Sequence, residues 1–342
     1  NEEKISNRRK QRKSQKNRKI ILTVAIAIVA VLIAGVAYAW SRISQAEDAI
    51  HQKVDTMQLR DKELTDDSSF SVLLLGIDNG AYGRDTEVGR SDTMLLVTVN
   101  PKQKKTTMIS IPRDSYTEII GYGTFDKLNH AYAFGKEKFA INSVQNMLNI
   151  PIDYYVTVDM QGLMGLVNAV GGLEITPALT FTYEDESFTE GVTRHVDGEA
   201  ALRYARMRYD DPEGDYGRQK RQRIVIEKLV EKLMSFSSVA NFEQLMNAVS
   251  KNVKTDLPIG QVMALKNTYG PAVTSQNLTQ SFIEERQLLL TNNAGEQIYY
   301  SYATDDVLLE NSNSIRKLMG QPTVKTYPLL QERQDLYYLT TP

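Results

Sequence analysis

Two aspartates stand where a chain of this pattern turns out of a sheet. Asp78 closes the run Ser71-Val-Leu-Leu-Leu-Gly-Ile-Asp78, and Asp92 lies in Gly89-Arg-Ser-Asp-Thr93, where the next apolar run begins. Adjacent strands joined by a loop bring two such carboxylates to one end of a sheet. Carboxylate oxygens without histidine suit a hard cation such as magnesium, which keeps waters or phosphate oxygens as its other ligands. From spacing alone a second reading stays open, in which Asp78 caps a turn and Asp92 ends an edge.

Basic residues follow at other element ends. Arg90 precedes Asp92, Arg113 and Asp114 end Ser110-Ile-Pro-Arg-Asp114, and Lys127 lies in Phe125-Asp-Lys-Leu-Asn-His130. The segment His195 to Arg208 ends on Arg206 and Arg208, which share a face with Tyr204 if the segment is extended. After the turn Asp211-Pro-Glu-Gly-Asp215 a helix is expected, carrying Arg218 and, one turn on, Gln222. Convergence of Arg90, Arg113, Arg206, Arg208 and Arg218 would make an anion site, because guanidinium groups grip phosphate oxygens bidentately. The alternative is a set of solvated surface charges with a few salt bridges. His130 and His195 read as loop organisers, and His51 as a solvated surface residue.

Composition narrows the chemistry. The 342 residues include no cysteine and three histidines, at 51, 130 and 195, so thiolate nucleophiles, disulfides, iron–sulfur clusters and Cys- or His-rich zinc sites are excluded. Any metal must be held by oxygen. The chain has no phosphate loop of the G-x-x-x-x-G-K-[ST] type, no G-x-S-x-G elbow and no G-x-G-x-x-G after a strand.

The elements that position these residues alternate. Continuous apolar runs at Ser71–Ile77, Met94–Val99 and Thr107–Ile111 predict strands buried on both faces. Ala133–Leu148 has helical spacing, Pro151 precedes a strand at Tyr154–Val158, Asp159 caps a helix over Gln161–Val170, and Gly171-Gly172 stops it before a strand at Leu173–Thr176. The pattern predicts an α/β fold, a central sheet with helices on both faces. From Asn241 onward amphipathic stretches and short strands carry no chemistry that can be named.

Charge is unevenly spread. Nine of the 40 Lys and Arg and two of the 42 Asp and Glu fall in residues 1–19, a net +7, which leaves 31 against 40, a net −9, for the rest. Ile20–Trp40 is an uncharged run long enough to cross a bilayer core, ending on the interfacial pair Tyr38 and Trp40. It is too long for the apolar region of a cleaved signal peptide. The positive-inside rule puts 1–19 in the cytoplasm and everything after Trp40 outside. The expected organisation is a basic tail (1–19), one transmembrane helix (20–40), a helical or partly disordered stalk (41–69) and an extracellular domain (70–342). The basic tail is explained by topology and anionic lipid, so no nucleic-acid partner is expected.

The ordered set Leu73-Leu-Leu-Gly-Ile-Asp78, Arg90-Ser-Asp-Thr93, Ser110-Ile-Pro-Arg-Asp114, Lys127-Leu-Asn-His-Ala-Tyr132, Asn168-Ala-Val-Gly-Gly172, Asp197 to Arg206 and Gly217-Arg218 to Gln222 resembles the LytR-CpsA-Psr family over a motif core of residues 70–235. Asn168 departs from the Asp expected before the Ala-Val-Gly-Gly turn. The resemblance implies a three-layer α/β/α sandwich with a central mixed sheet, and a cell-wall enzyme anchored in the plasma membrane of a Gram-positive bacterium. Such an enzyme moves an anionic glycopolymer, such as wall teichoic acid, from undecaprenyl diphosphate to the 6-hydroxyl of N-acetylmuramic acid in peptidoglycan.

Carried over by motif, the resemblance implies that Asp78 and Asp92 are carboxylates associated with magnesium or manganese. Arg90, Arg113, Lys127, Arg206, Arg208, Arg218 and Gln222 would bind the diphosphate. Asp92 would orient or deprotonate the acceptor hydroxyl, and Arg90, Arg113, Arg206, Arg208 and Arg218 would stabilise the transferring phosphoryl group. The family's hydrophobic tunnel would be lined here by Phe134, Phe139, Leu163, Leu166 and Val170, for each of which ordinary core packing is the competing reading. Two rival functions remain, a prenyl-diphosphate hydrolase using the same site and a non-enzymatic transcription attenuator.

Overall fold

Six strands pair into one mixed sheet, and the two central ones bring Asp78 and Asp92 to the same end. In the computed structural model the described residues are 51–60, 63–78, 89–235, 245, 250–258, 266–292 and 294–326, all within one unit, Glu47–Pro342. The basic tail, the apolar run Ile20–Trp40 and residues 41–50 lie outside them. Among the described residues no helix is long and apolar enough to cross a membrane.

The chain runs β1 (Phe70–Asp78), β2 (Arg90–Asn100), β3 (Lys105–Ser110), β4 (Tyr116–Ile119), β5 (Thr124–Lys127), α1 (His130–Leu148), β6 (Tyr154–Asp159), α2 (Met160–Ala169) and β7 (Leu173–Ile175). It continues through β8 (Phe181–Tyr183), β9 (Glu186–Phe188), β10 (Arg194–Val196), α3 (Gly198–Arg206), α4 (Asp215–Ser235), β11 (Val253–Thr255), α5 (Lys266–Tyr269), β12 (Leu278–Phe282), β13 (Arg286–Thr291), β14 (Gln297–Tyr302) and α6 (Asp305–Leu318). The sheet order is β11-β6-β1-β2-β3-β12. β1 is parallel to β6 and antiparallel to β2, β3 is antiparallel to β2 and parallel to β12, and β11 is antiparallel to β6.

Period-2 alternation divides the sheet's side chains between two unequal faces. Leu73 (0% exposed), Leu75 (1%) and Leu96 (0%) pack with Ile109, Val144, Leu148, Leu308 and Ile315 beneath α1 and α6. Each such residue contributes on the order of 2 kcal/mol of burial. The opposite face carries α4, whose Arg223 donates to Ser110 Oγ at 2.6 Å, with α3 and α2 packed beside it. On this face Leu74 and Val97 stay partly exposed, although they sit on the two central strands. Leu163, Met164 and Ile224 on the covering helices are partly exposed too. The helices on this side therefore leave apolar surface accessible over the middle of the sheet.

Two expectations are corrected. The segment ending at Arg206 is helical rather than extended, because Asp197 caps it by accepting from Ala200 N–H at 2.9 Å and Glu-Ala-Ala-Leu is strong helix sequence. Tyr204 consequently points into the core, stacked near Phe181 and Phe188, and shares no face with both arginines. Residues 51–60, expected to be helical or partly disordered, form no helix and are docked on the domain. Gln52 N–H bonds Thr255 O at 2.8 Å, Met57 N–H bonds Asn142 Oδ1 at 2.9 Å, and Arg60 grips the Asp153 carboxylate through Nε and Nη2.

Candidate functional site

Asp92 owes its direction to an irregularity in the ladder. Ile77 pairs with Ser91 and Gly76 with Thr93, so Asp92 has no partner across the β1–β2 pair and forms a bulge. A bulge turns one side chain out of the alternation and is a common device beside functional sites. Gly76 leaves the room this needs, since a Cβ there would lie 2.8 Å from Thr93 Cβ.

Around Asp92 the structure gathers charge from four places in the chain. Arg113, just past β3, donates from Nη1 to Asp92 Oδ2 at 2.9 Å, and Asn129 Nδ2 donates to Asp92 Oδ1 at 3.1 Å. Arg113 Nε lies 3.7 Å from Asp114 Oδ2, and Lys127 Nζ, at the end of β5, reaches Asp114 Oδ1 at 3.0 Å. From the start of α4, Asp215 Oδ1 meets Arg218 Nη2 at 2.8 Å and Arg208 Nε at 3.5 Å, while Gln219 Nε2 donates to Asp215 Oδ2 at 3.0 Å. The two halves are one electrostatic unit, for Arg113 feels Asp215 and Arg218 feels Asp92.

Four cations, Arg113, Lys127, Arg208 and Arg218, thus surround three carboxylates, Asp92, Asp114 and Asp215. Burial opposes the charge on Arg113, but Asp92, Asp114 and Asp215 together outweigh it and hold its pKa above the ordinary value. At Arg218 burial outweighs Asp215 and the pKa falls, though a guanidinium stays protonated at neutral pH. Asp215 is desolvated as well, yet Arg218, Gln219, Arg113 and Arg208 draw its carboxyl below the usual carboxylate value. The carboxylates keep like-charged guanidiniums in one place. Two donors remain: the buried Nε groups of Arg113 and Arg218 have no hydrogen-bond acceptor among the described residues. Such groups are costly unless an acceptor arrives, and phosphate oxygens are suitable ones.

The other expected residues are placed as follows. Asp78 and Arg90 face each other in the register at the open end of β1 and β2, with Arg90 exposed. Arg206 is the last residue of α3 and partly exposed, and Gln222 lies one turn beyond Arg218 on α4, also partly exposed. No group of three or more His, Asp or Glu that could hold a metal occurs among the described residues. Asp78 and Asp92 nevertheless offer an oxygen-only donor pair at one sheet end, which fits a hard divalent cation taking its other ligands from water and phosphate. His130 pairs with Asp126 and His195 with Glu174, each at 2.7 Å, outside this charge cluster. Asn168 Oδ1 accepts Gly198 N–H at 2.8 Å, so the departure at this position ties α2 to α3.

The five apolar residues expected to line one tunnel do not lie together. Phe134 is 38% exposed and stacks on Tyr122, and Phe139 packs on the α1–α6 core with its ring close to Gly121 and Gly135. The reason is a break in α1 at Gly135 and Lys136, where the backbone leaves helical geometry. Leu163, Leu166 and Val170 belong to the α2 side of the fold, where Leu74 and Val97 are accessible. Sequence reasoning also passed over Asp114, Asn129 and Asp215 as site members. The three-residue spacing of Asp215 and Arg218 on one helix was the available signal for the last.

Comparison with known proteins agrees with this fold. The LytR_cpsA_psr family model matches residues 36–317. The chain is 47% identical over 253 residues, 74% of its length and 82% of the relative's, to an Enterococcus faecalis protein named polyisoprenyl-teichoic acid--peptidoglycan teichoic acid transferase TagU. The crystal structure of Bacillus subtilis TagU superposes with a TM-score of 0.60 at 35% identity, covering 75% of this chain and 99% of that one. A structure of TagT bound to LIIa-WTA superposes with a TM-score of 0.61 at 30% identity, covering 78% and 97%. With its motifs in order, its mixed sheet and a match across most of its length, the chain belongs to the LytR-CpsA-Psr family.

Proposed function

We propose that this chain is a membrane-anchored phosphotransferase that moves an anionic glycopolymer of the teichoic acid class from a polyprenyl diphosphate to the 6-hydroxyl of N-acetylmuramic acid in peptidoglycan. One observation carries the reading: guanidinium and ammonium groups from separate elements gather around Asp92, Asp114 and Asp215, and two buried guanidinium Nε donors there have no hydrogen-bond acceptor among the described residues. The names of the relatives, teichoic acid transferases, support the donor and acceptor classes. The charge asymmetry around Ile20–Trp40 supports a single-pass anchor with the domain outside.

In the reaction, the acceptor hydroxyl oxygen attacks the phosphorus nearest the glycan. The bond from that phosphorus to the bridging oxygen breaks, polyprenyl monophosphate leaves with the electron pair, and the hydroxyl proton passes to solvent. Phosphoryl transfer of this kind needs positioning and charge stabilisation more than covalent chemistry. Arg113 and Arg218 would hold the diphosphate oxygens, with Lys127, Arg208, Arg206, Arg90 and Gln222 around them. Asp92 would orient the hydroxyl, its own oxygens fixed by Arg113 and Asn129. Asp78 and Asp92 would hold magnesium or manganese, which when bound supplies further neutralisation of the diphosphate. The accessible apolar surface around Leu74, Val97, Leu163 and Ile224 would take the prenyl chain.

Product analysis tests this against hydrolysis at the same site. Incubation with a lipid-linked glycan and peptidoglycan is expected to leave glycan phosphate covalently on the peptidoglycan. Release of soluble glycan phosphate with none attached would replace the transferase by a hydrolase.

A further inference from the structure

The hairpin β13–β14 lies beyond the motif core, yet it forms one wall of the charged cluster. Ser301 N–H bonds Asp114 O at 3.0 Å, Ser115 and Ser301 pair as a parallel bridge, and the hydroxyls of both donate to the Glu285 carboxylate. The segment carrying Arg113 and Asp114 is therefore locked to β14. Lys127 Nζ, held by Asp114, sits 5.9 Å from the Tyr299 ring centroid and 5.6 Å from that of Tyr300. Tyr300 is anchored edge-on against Tyr116.

Tyr299 is different, because its ring stays at the surface. Leu289 and Tyr299 stand directly opposite each other in the β13–β14 register, 57% and 43% exposed. Outward cross-strand positions on a solvated hairpin are ordinarily polar, and here an apolar pair stands beside the charged cluster instead. Burial, then Asp114, Glu285, Tyr216 and Asp215, push the Tyr299 hydroxyl up, so it remains a neutral donor. A flat ring with a polar tip, beside an aliphatic side chain and close to an ammonium, matches a sugar ring that has one C–H face and a rim of hydroxyls.

We propose that Leu289 and Tyr299 form the platform on which the acceptor glycan strand lies, with Tyr299 setting specificity for a sugar acceptor beside the Lys127–Asp114 side of the cluster. The assignment rests on the proposed transfer to peptidoglycan. Tyr299 is linked to Asp92 through Lys127, Asp114 and Arg113, so a ring on Tyr299 lies beside the same cluster.

The test is calorimetric titration of the full chain with a muramidase-released peptidoglycan tetrasaccharide, without donor. Tyr299→Ala is expected to weaken binding about ten-fold, Leu289→Ser to weaken it several-fold, and Tyr299→Trp to keep binding near the wild-type value. Val192→Ser, which removes an exposed apolar residue from another surface, is expected to change nothing. Equal affinity of wild type and Tyr299→Ala, equal loss in the Ala and Trp variants, or no tetrasaccharide binding by wild type would each overturn the assignment. So would a parallel loss of prenyl diphosphate affinity in Tyr299→Ala, which would place the residue on the donor side. A wild-type chain that binds the tetrasaccharide through Tyr299 but transfers nothing to it refutes the transferase reading and leaves this surface standing.

Discussion

Arg113 and Asp92 meet at 2.9 Å across the end of the sheet, joining a residue three positions past β3 to the one that the β2 bulge turns out of the ladder. The pair fixes both groups before any ligand arrives. An array built in advance spends no reorganisation at the moment of reaction, which is where electrostatic catalysis gains most.

Arg218 lies deepest in the array, 9% exposed, with Nε lacking an acceptor among the described residues. Arg218→Ala is expected to reduce transfer by about 10²–10³-fold, and Arg218→Lys to recover little, because an ammonium cannot make the bidentate contact. Initial rates with lipid-linked donor check this, alongside circular dichroism to confirm folding. Rates within a few-fold of wild type in both variants would remove Arg218 from the site.

Gly76 provides the space for the bulge. A methyl group there meets Thr93 Cβ, so Gly76→Ala is expected to destabilise by about 1–3 kcal/mol and to lower kcat by displacing Asp92. Thr93→Gly in the same chain removes the clash and should restore part of both losses. A double variant no better than the single one would mean that the bulge is not what positions Asp92.

Asp256 makes stability depend on pH. Its Oδ1 accepts Tyr155 N–H at 2.8 Å, and burial pushes its carboxyl up to about 6. The fold favours the protonated form, so this contribution is fully present below the unfolded value near 4 and is lost as pH rises through 6. Asp256→Asn keeps an acceptor without the charge. It should match wild type near pH 4 and exceed it at pH 7.5 by about 1–2 kcal/mol, a few degrees in Tm, after allowing for solvent near the group. Thermal melts at the two pH values decide it; an advantage that does not grow with pH contradicts the assignment.

The domain begins before Phe70. Arg60 pairs with Asp153, which also accepts from Ser71 N–H at 2.8 Å, and Asp153 is almost wholly buried. Arg60→Ala leaves that carboxylate short of a partner and should cost about 2–3 kcal/mol. A chain shortened to begin at residue 62 should lose at least as much, since Gln52 and Met57 also bond the domain. Unchanged denaturation midpoints in both would return residues 51–60 to the role of a passive stalk.

What the sequence made legible was local. The strands at Ser71–Ile77 and Met94–Val99 and the Asp159-capped helix follow from continuous apolar runs and from a cap bonding Gly162 N–H at 2.7 Å, all decided within a few residues. Arg113, Lys127, Arg208 and Arg218 could be named from their motifs. Their carboxylate partners were less legible: the i,i+3 spacing to Arg218 pointed to Asp215, but Asp114 meets Lys127 only through a contact between β5 and the end of β3 that no spacing encodes. The bulge at Asp92 depends on register between two strands, and the break in α1 that sends Phe134 outward depends on two residues, Gly135 and Lys136, inside an otherwise helical pattern. Tyr299 joins the cluster only through folding, from far along the chain.

The central claim is that this array holds the diphosphate of a prenyl-linked donor, and a crystal structure with prenyl diphosphate bound tests it most directly. The account predicts phosphate oxygens within hydrogen-bond distance of Arg113 and Arg218, including their Nε groups, and a prenyl chain running over Leu74 and Val97 beneath α2 and α4. A headgroup seated elsewhere, with Arg113 and Arg218 bonded only to Asp92 and Asp215, would contradict it.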